Sequence, residues 1–156
     1  MESIDQGDHV CYVLKSQTKP RTYCGYTNAF WQRRILAHNG LKTGGAKYTR
    51  VGRPYFPLFI VKGFRNKKEA LHFEYGMKHT RLSSRGVKNR LKCLNYMINK
   101  ERWTKKCDLA KDIPLKVIWF DKEAFDESKL ILEKPDYVTF HQDFTKNEQL
   151  KTLLSL

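Results

Sequence analysis

The sequence predicts an α+β fold: a small, mostly antiparallel three-stranded sheet flanked by helices, with a mainly helical C-terminal extension. Three observations carry this expectation. Two short runs rich in Val, Tyr and Cys stand on either side of a Pro-containing turn, as hairpin strands do. A longer apolar run, Pro-Leu-Phe-Ile-Val-Lys-Gly-Phe at 57–64, suits a buried strand. Around these runs, apolar residues recur at three- and four-residue spacing between helix start and stop residues.

In chain order, residues 9–15 and 22–27 form the predicted hairpin, turned at 16–21 around Pro20. Asn28 can cap a helix to about Asn39, where Gly40 supplies a left-handed stop. A Gly- and Arg-rich loop at 42–54 leads into the strand at 57–64. Asn66 and Glu69 form an N-x-x-E arrangement similar to a capping box, opening a second helix that ends near His79. Leu91, Leu94, Tyr96, Met97 and Ile98 predict a third helix over 88–101. Residues 114–120, Pro-Leu-Lys-Val-Ile-Trp-Phe, are a further strand candidate. Beyond them acids mix with apolar pairs, and Leu150, Leu153 and Leu154 suit a terminal amphipathic helix. With no internal repeat or low-complexity linker, the expected organisation is a tail at 1–8, a main domain at 9–81 and an extension at 82–156 packed on the same unit.

A chain of 156 residues allows one domain with a modest appendage. Its 30 Lys and Arg against 16 Asp and Glu, a formal net charge of +14, point to a polyanionic partner. The charge is unevenly spread: residues 1–106 hold 23 basic and 6 acidic side chains, and residues 107–156 hold 7 and 10. From His9 to Lys68 there are 13 Lys or Arg and no acid. Surfaces normally mix signs, so so long a stretch of one sign implies phosphate contact. At 40% hydrophobic and 13% aromatic the chain can bury a core, which excludes a disordered basic packaging tail. No apolar run approaches the ~20 residues that cross a membrane. Residues 1–8, with three acids and no basic residue, resemble neither a signal nor a transit peptide. Cys11, Cys24, Cys93 and Cys107 form no C-x-x-C pair and no His set stands at finger spacing, so reduced buried thiols in an intracellular compartment are expected, not zinc ligands.

Strand alternation puts Tyr12 on one face with Val10 and Leu14, and Tyr23 on one face with Arg21 and Gly25, so a hairpin can bring the two tyrosines together. Trp31, Arg34 and His38 recur at helical spacing, and a cation one turn from an imidazole with no acid nearby suits a phosphate. Glu69 and Glu74 are the only acids between Asp8 and Glu101. Glu69 serves as a cap, whereas Glu74 lies mid-helix at the edge of the buried face, beside Ala70, Phe73 and Met77. A lone carboxylate there can hold a hard cation such as Mg²⁺ if water and phosphate complete the coordination. It is too little for a two-metal site. Charge alone equally fits a non-catalytic nucleic-acid module that stacks bases on Tyr48.

Together these residues resemble the GIY-YIG nuclease family. Its first motif corresponds to Val10-Cys11-Tyr12 and its second to Tyr23-Cys24-Gly25; both tyrosines and the second glycine are kept, the first glycine is not, and Cys replaces Ile in each. The family's helix arginine falls on Arg34 and its glutamate on Glu74, within Phe73-Glu74-Tyr75. Similarity is greatest to the Slx branch, at Arg21-Thr22-Tyr23, the loop at 43–50, Gly63-Phe64 and the run 70–74. The resemblance implies metal-dependent hydrolysis of DNA at flaps or branched junctions by Tyr12, Tyr23, Arg34, His38 and Glu74, with one Mg²⁺ or Mn²⁺ on Glu74 and no zinc. Tyr12 is expected to take the proton of water, its phenol acidified by Arg34, Lys47 and the ion, with Tyr23 and His38 orienting phosphate and nucleophile. Arg21, Arg33, Lys42, Lys47, Tyr48, Arg50, Arg53, Lys67 and Lys68 are the expected DNA contacts. The branch's C-terminal RING-like zinc module, which grips a scaffold subunit, finds no ligands in this sequence. A scaffold is therefore not expected, and the chain should act as a monomer or homodimer in the nucleus, at a viral DNA replication site or in the cytoplasm. A sequence-specific restriction or homing nuclease on the same domain would need a separate target-reading module.

Overall fold

A computed structural model describes residues 9–28, 31–80 and 86–155; the predicted tail at 1–8 and the predicted boundary at 81–82 lie outside them. Strands β1 (Val10–Ser16) and β2 (Thr22–Thr27) pair antiparallel as the hairpin pattern predicts. The Ser16 hydroxyl closes the turn by accepting the N–H groups of Thr18 and Lys19 at 3.1 and 2.9 Å. On its other side β1 pairs antiparallel with β3 (Tyr55–Lys62), with a register shift between Val13 and Leu14. Leu14 faces Pro57 there, and the irregularity accommodates a residue without an N–H to donate, so β3 begins two residues before the predicted start.

The sheet has five strands, not the three expected, in the order β2-β1-β3-β4-β5. β4 (Leu115–Trp119) pairs antiparallel with β3, because Leu115, Val117 and Trp119 must be buried and β3 offers an open edge. β5 (Val138–Gln142) then runs parallel to β4. Parallel neighbours need a crossover, and helix α4 (Lys122–Ile131) supplies it, capped by the Asp121 carboxylate, which accepts the Ala124 N–H at 3.1 Å. The extension is mainly helical, as expected, with α3 (Gly86–Ile98), α4 and α5 (Thr145–Leu154), and it also adds the two strands that widen the sheet.

β1 sits between two apolar clusters, its side chains alternating between them. Val10, Tyr12 and Leu14 pack against Trp31 and Ile35 of α1 (Trp31–His38), and Leu150 of α5 (Thr145–Leu154) closes over the same cluster. Cys11 and Val13 face the opposite way, onto Phe73 and Met77 of α2 (Lys67–His79), Leu91 and Leu94 of α3 (Gly86–Ile98), and α4. All four cysteines are free and buried. Gly40 has φ +80° as its stop role requires. At the start of α2, Asn66 accepts the Glu69 N–H at 2.9 Å, but the box is only half made. Glu69 turns instead to Arg65, accepting its backbone N–H and its Nε at 2.7 Å each, and is 6% exposed. Among the described residues no helix is long and apolar enough to cross a membrane.

Candidate active site

Hairpin register places Tyr12 opposite Gly25 and Tyr23 opposite Leu14. The tyrosines are therefore diagonal neighbours on one face, with ring centroids 6.2 Å apart. The Tyr12 phenol crosses directly over Gly25, where a Cβ would come within 2.4 Å of its oxygen and 2.9 Å of Tyr23 Cε2. Glycine is the residue that leaves this ring room.

The second wall is the end of α1. His38, its last residue, is fully buried, and its Nε2 lies 2.7 Å from the Tyr12 oxygen. Its Nδ1 lies 2.9 Å from Thr49 Oγ1, in the short 3-10 turn Lys47–Arg50. The Thr49 hydroxyl donates to Ala46 O at 2.8 Å, which leaves its oxygen able to accept a proton carried on Nδ1. The Ala46 N–H donates to the same nitrogen at 3.3 Å, a contact that the opposite tautomer satisfies. In the tautomer with the proton on Nδ1, Nε2 is the acceptor of the Tyr12 hydroxyl proton. The Tyr23 ring covers the pair, 4.8 Å from the imidazole centroid. Arg34, one turn before His38, donates to Gly44 O, and with Arg33 it lines a cleft of about 310 Å³ that also takes in Tyr26, Asn28 and Thr43.

The chain's own charges do not by themselves supply the acidified phenol expected with the ion. Burial pushes the Tyr12 phenol well above its ordinary range, with Tyr23 adding to the rise, and the hydrogen bond and charge of Arg34 recover only part of it. Arg34 alone does not acidify the phenol, because a buried anion loses more hydration than one neighbouring guanidinium returns. His38 is lowered to about 4, first by burial and then by Arg34 and Arg53. At neutral pH the pair is a neutral phenol hydrogen-bonded to a neutral imidazole.

Glu74 projects from α2, which covers the opposite face of the sheet, and its side chain is 15% exposed. Lys78, one turn on, pairs with it at 3.3 Å and holds its ammonium 5.5 Å from the centroid of the Tyr23 ring on edge strand β2. Burial works against the Lys78 charge, but Glu74, Tyr23 and Cys24 together outweigh it, so its pKa rises. Among the described residues no three His, Cys, Asp or Glu side chains gather as a metal cluster. Glu74 nevertheless suits a hard cation: a partly exposed carboxylate, paired among the described residues with Lys78, can leave other ligand positions to water and phosphate.

The residues expected against DNA are not one continuous group. Tyr48 is 46% exposed, with the Arg21 guanidinium 4.0 Å from its ring centroid and the Tyr23 ring 5.9 Å away, so this trio adjoins the tyrosine pair. Arg33, Lys42, Lys47 and Arg50 are exposed around the same loop and helix. Arg53 is committed inward as well, its Nε donating to His38 O at 2.8 Å. Lys67 and Lys68 are exposed at the far end of α2, about 10 Å along the helix from Glu74. Sequence reasoning missed Thr49 and Lys78. Thr49 carries no signal in a polar loop, but Lys78 stands four residues after an otherwise isolated Glu, a spacing that brings opposite charges together on a helix.

A tyrosine-imidazole pair roofed by a second tyrosine, with an arginine on the same helix and a glutamate across the sheet, is the constellation of one nuclease class. Residues 8–89 match the GIY-YIG catalytic domain, and the chain belongs to that family. It is 42% identical over 92 residues to an uncharacterized protein of Acanthamoeba polyphaga mimivirus, covering 58% of this chain and 53% of that one. It is 31% identical over 134 residues to the structure-specific endonuclease subunit slx1 of Schizosaccharomyces pombe, covering 76% and 46%. To the structure-specific endonuclease subunit SLX1 of Yarrowia lipolytica it is 35% identical over 139 residues, covering 81% and 46%. The chain thus spans about half the length of these relatives.

Proposed function

We propose that this chain is a DNA endonuclease that hydrolyses phosphodiester bonds at flaps or branched junctions, using one Mg²⁺ or Mn²⁺ held by Glu74. Family membership and relatives named structure-specific endonuclease subunits support the class. The observation that carries the mechanism is the 2.7 Å contact between the Tyr12 hydroxyl and His38 Nε2. A divalent ion on Glu74 would polarise a phosphate oxygen and steady the charge on the leaving oxygen.

The remaining steps belong to side chains of this chain. Because the free phenol is hard to ionise, Tyr12 takes the proton of water only as its own proton passes to His38 Nε2. Thr49 holds Nδ1 so that Nε2 faces the phenol. Arg34 donates to the charge that develops on the phosphorane oxygens, and its partial neutralisation by phosphate removes one of the forces that depress His38, readying the imidazole as an acceptor. Tyr23 orients the phosphate and roofs the pair. The loop carrying Lys42, Lys47, Tyr48, Arg50 and Arg53, with Arg21 and Arg33 beside it, tracks the backbone without reading bases, and Lys67 and Lys68 hold a more distant stretch of the same DNA. In this reading residues 9–81 are the catalytic domain, 82–156 extend its sheet, and the chain acts as a monomer or homodimer where branched DNA is processed, in the nucleus or at a viral replication site.

The test is cleavage of labelled flap, junction, duplex and single-stranded DNA, with Mg²⁺ and without, by the wild type and Tyr12→Phe. Branched substrates should be cut only with the ion, and loss of the hydroxyl should slow cutting by about 10²- to 10⁴-fold with binding near normal. Wild-type turnover by Tyr12→Phe, or cutting that follows a base sequence irrespective of branching, would overturn the proposal.

A further inference from the structure

The helix that carries Glu74 also presents a row of side chains that neither the core nor the chemistry uses. Lys67, Leu71, Tyr75 and His79 follow one another at four-residue spacing on α2, and all four are exposed. Tyr75 is the most exposed aromatic residue of the chain among those described, at 60%. Its ring lies parallel to that of His79, with centroids 3.9 Å apart and planes 18° apart. His79 Nδ1 bonds to Tyr75 O at 2.9 Å, so the lower ring is locked in place under the upper one. Two flat exposed rings are thereby set in a fixed stack before any ligand arrives.

Their position decides what such a stack can take. Tyr75 and His79 each follow directly after a residue of the Glu74 and Lys78 pair, so the platform flanks that pair along the whole last half of α2. Its surroundings are basic: Lys67, Lys68 and Lys78 stand on the same helix, and Glu69 is occupied by Arg65. An exposed aromatic plane set in positive charge, beside a carboxylate assigned to phosphate chemistry, matches a base whose backbone is anionic and whose face is free. Bases in the interior of a duplex have no free face to offer.

Resting on the nuclease reading above, we infer that the Tyr75 and His79 stack is a docking platform for an unpaired nucleobase of the DNA strand, and that it contributes the preference for flaps and branches. Bases at a branch point are exposed, so duplex DNA without unpaired bases would pass the platform by.

The experiment measures binding in EDTA to a blunt duplex and to the same duplex with a single-stranded overhang carrying 2-aminopurine at its first, second or third unpaired position. The wild type should quench 2-aminopurine at one of these positions and prefer the overhang. Tyr75→Ala should lose the quenching and weaken overhang binding by about 5- to 150-fold, the range for one base-aromatic stack, while blunt-duplex binding stays unchanged. Tyr75→Trp should restore both signals, which a merely helix-stabilising tyrosine would not require. Unchanged overhang binding by Tyr75→Ala, or equal weakening on both DNAs, overturns the platform. If Tyr75→Ala lowers the helix signal in circular dichroism, Tyr75→Phe and Tyr75→Trp decide instead, and a loss of quenching in both overturns it. The nuclease reading fails separately, if the wild type cuts no branched DNA in Mg²⁺.

Discussion

Gly25→Ala isolates the demand that the site makes on its backbone. Gly25 lies in extended strand β2, so alanine meets no conformational strain there; the whole effect is the space its methyl carbon claims. That carbon would fall 2.4 Å from the Tyr12 oxygen and 2.5 Å from Cζ, where ordinary contact begins near 3.4 Å. The ring must retreat by about 1 Å, yet it is 1% exposed and packed against Val10, Leu14 and Trp31. Forcing a methylene into such a core costs about 1–3 kcal/mol, offset by about 0.4–1 kcal/mol for restricting the unfolded chain. The expected net is a loss of about 1–2 kcal/mol, read as a melting temperature roughly 2–8 °C lower. The rate should fall much further, about 10²-fold, because a 1 Å displacement takes the hydroxyl out of register with His38 Nε2. Cleavage of a flap substrate, with DNA affinity measured in parallel, checks this. Both changes act through one hydroxyl, so Gly25→Ala and Tyr12→Phe should be far from additive in rate. Wild-type turnover with an unchanged melt, or additive losses, would refute the reasoning.

Glu74→Gln should abolish cutting while DNA binding survives or tightens, since a repulsive charge is gone; full activity in Mg²⁺ would count against the ion site. Glu69→Gln should leave the rate intact but cost about 1.5–3 kcal/mol of stability, because a buried carboxylate anchors Arg65, and denaturant melts would show it. His38 is held near 4 in the folded chain against about 6.5 unfolded, so the unfolded state binds the extra proton first. Stability should be complete above about pH 6.5 and fall by about 3 kcal/mol as pH drops to 4, and His38→Gln should flatten this limb; equal slopes for the two proteins would disprove the assignment. Arg50→Ala should lower the slope of log affinity against log salt on duplex DNA by roughly 0.9, an outcome that titration at several salt concentrations decides.

What the sequence made legible follows from how local each signal is. Asn66 and Gly40 act within one turn of their own backbone, so their roles could be read from neighbours alone. The tyrosines and Glu74 stood out because strand alternation and an isolated charge are visible in one dimension. Strand β5 was illegible: Val138 is its one buried residue, and a parallel edge strand reached by a crossover leaves little alternation to detect. The burial that opposes ionisation of the Tyr12 phenol is hidden for a related reason. Counting nearby cations ignores burial, and burial dominates once Val10, Leu14 and Trp31 close around the ring. The partnership of His38 with Thr49 depends on how an eleven-residue segment folds back, which no pattern in its Gly, Lys and Thr residues announces.

That folded-back segment ties recognition to reactivity. Arg34 grips Gly44, His38 is held through Thr49, and Arg53 returns to the His38 carbonyl, so the basic loop is fastened to the two side chains of α1 nearest the reacting phenol. Any free energy spent in moving the loop onto DNA is therefore felt at the imidazole. Linkage makes this reciprocal: whatever strengthens the proton affinity of His38 also biases the loop's grip on a phosphate backbone, by the same factor. Affinity of the loop and readiness of the site thus form one coupled equilibrium, and substitutions at Thr49, which touches no DNA in this scheme, should shift both together.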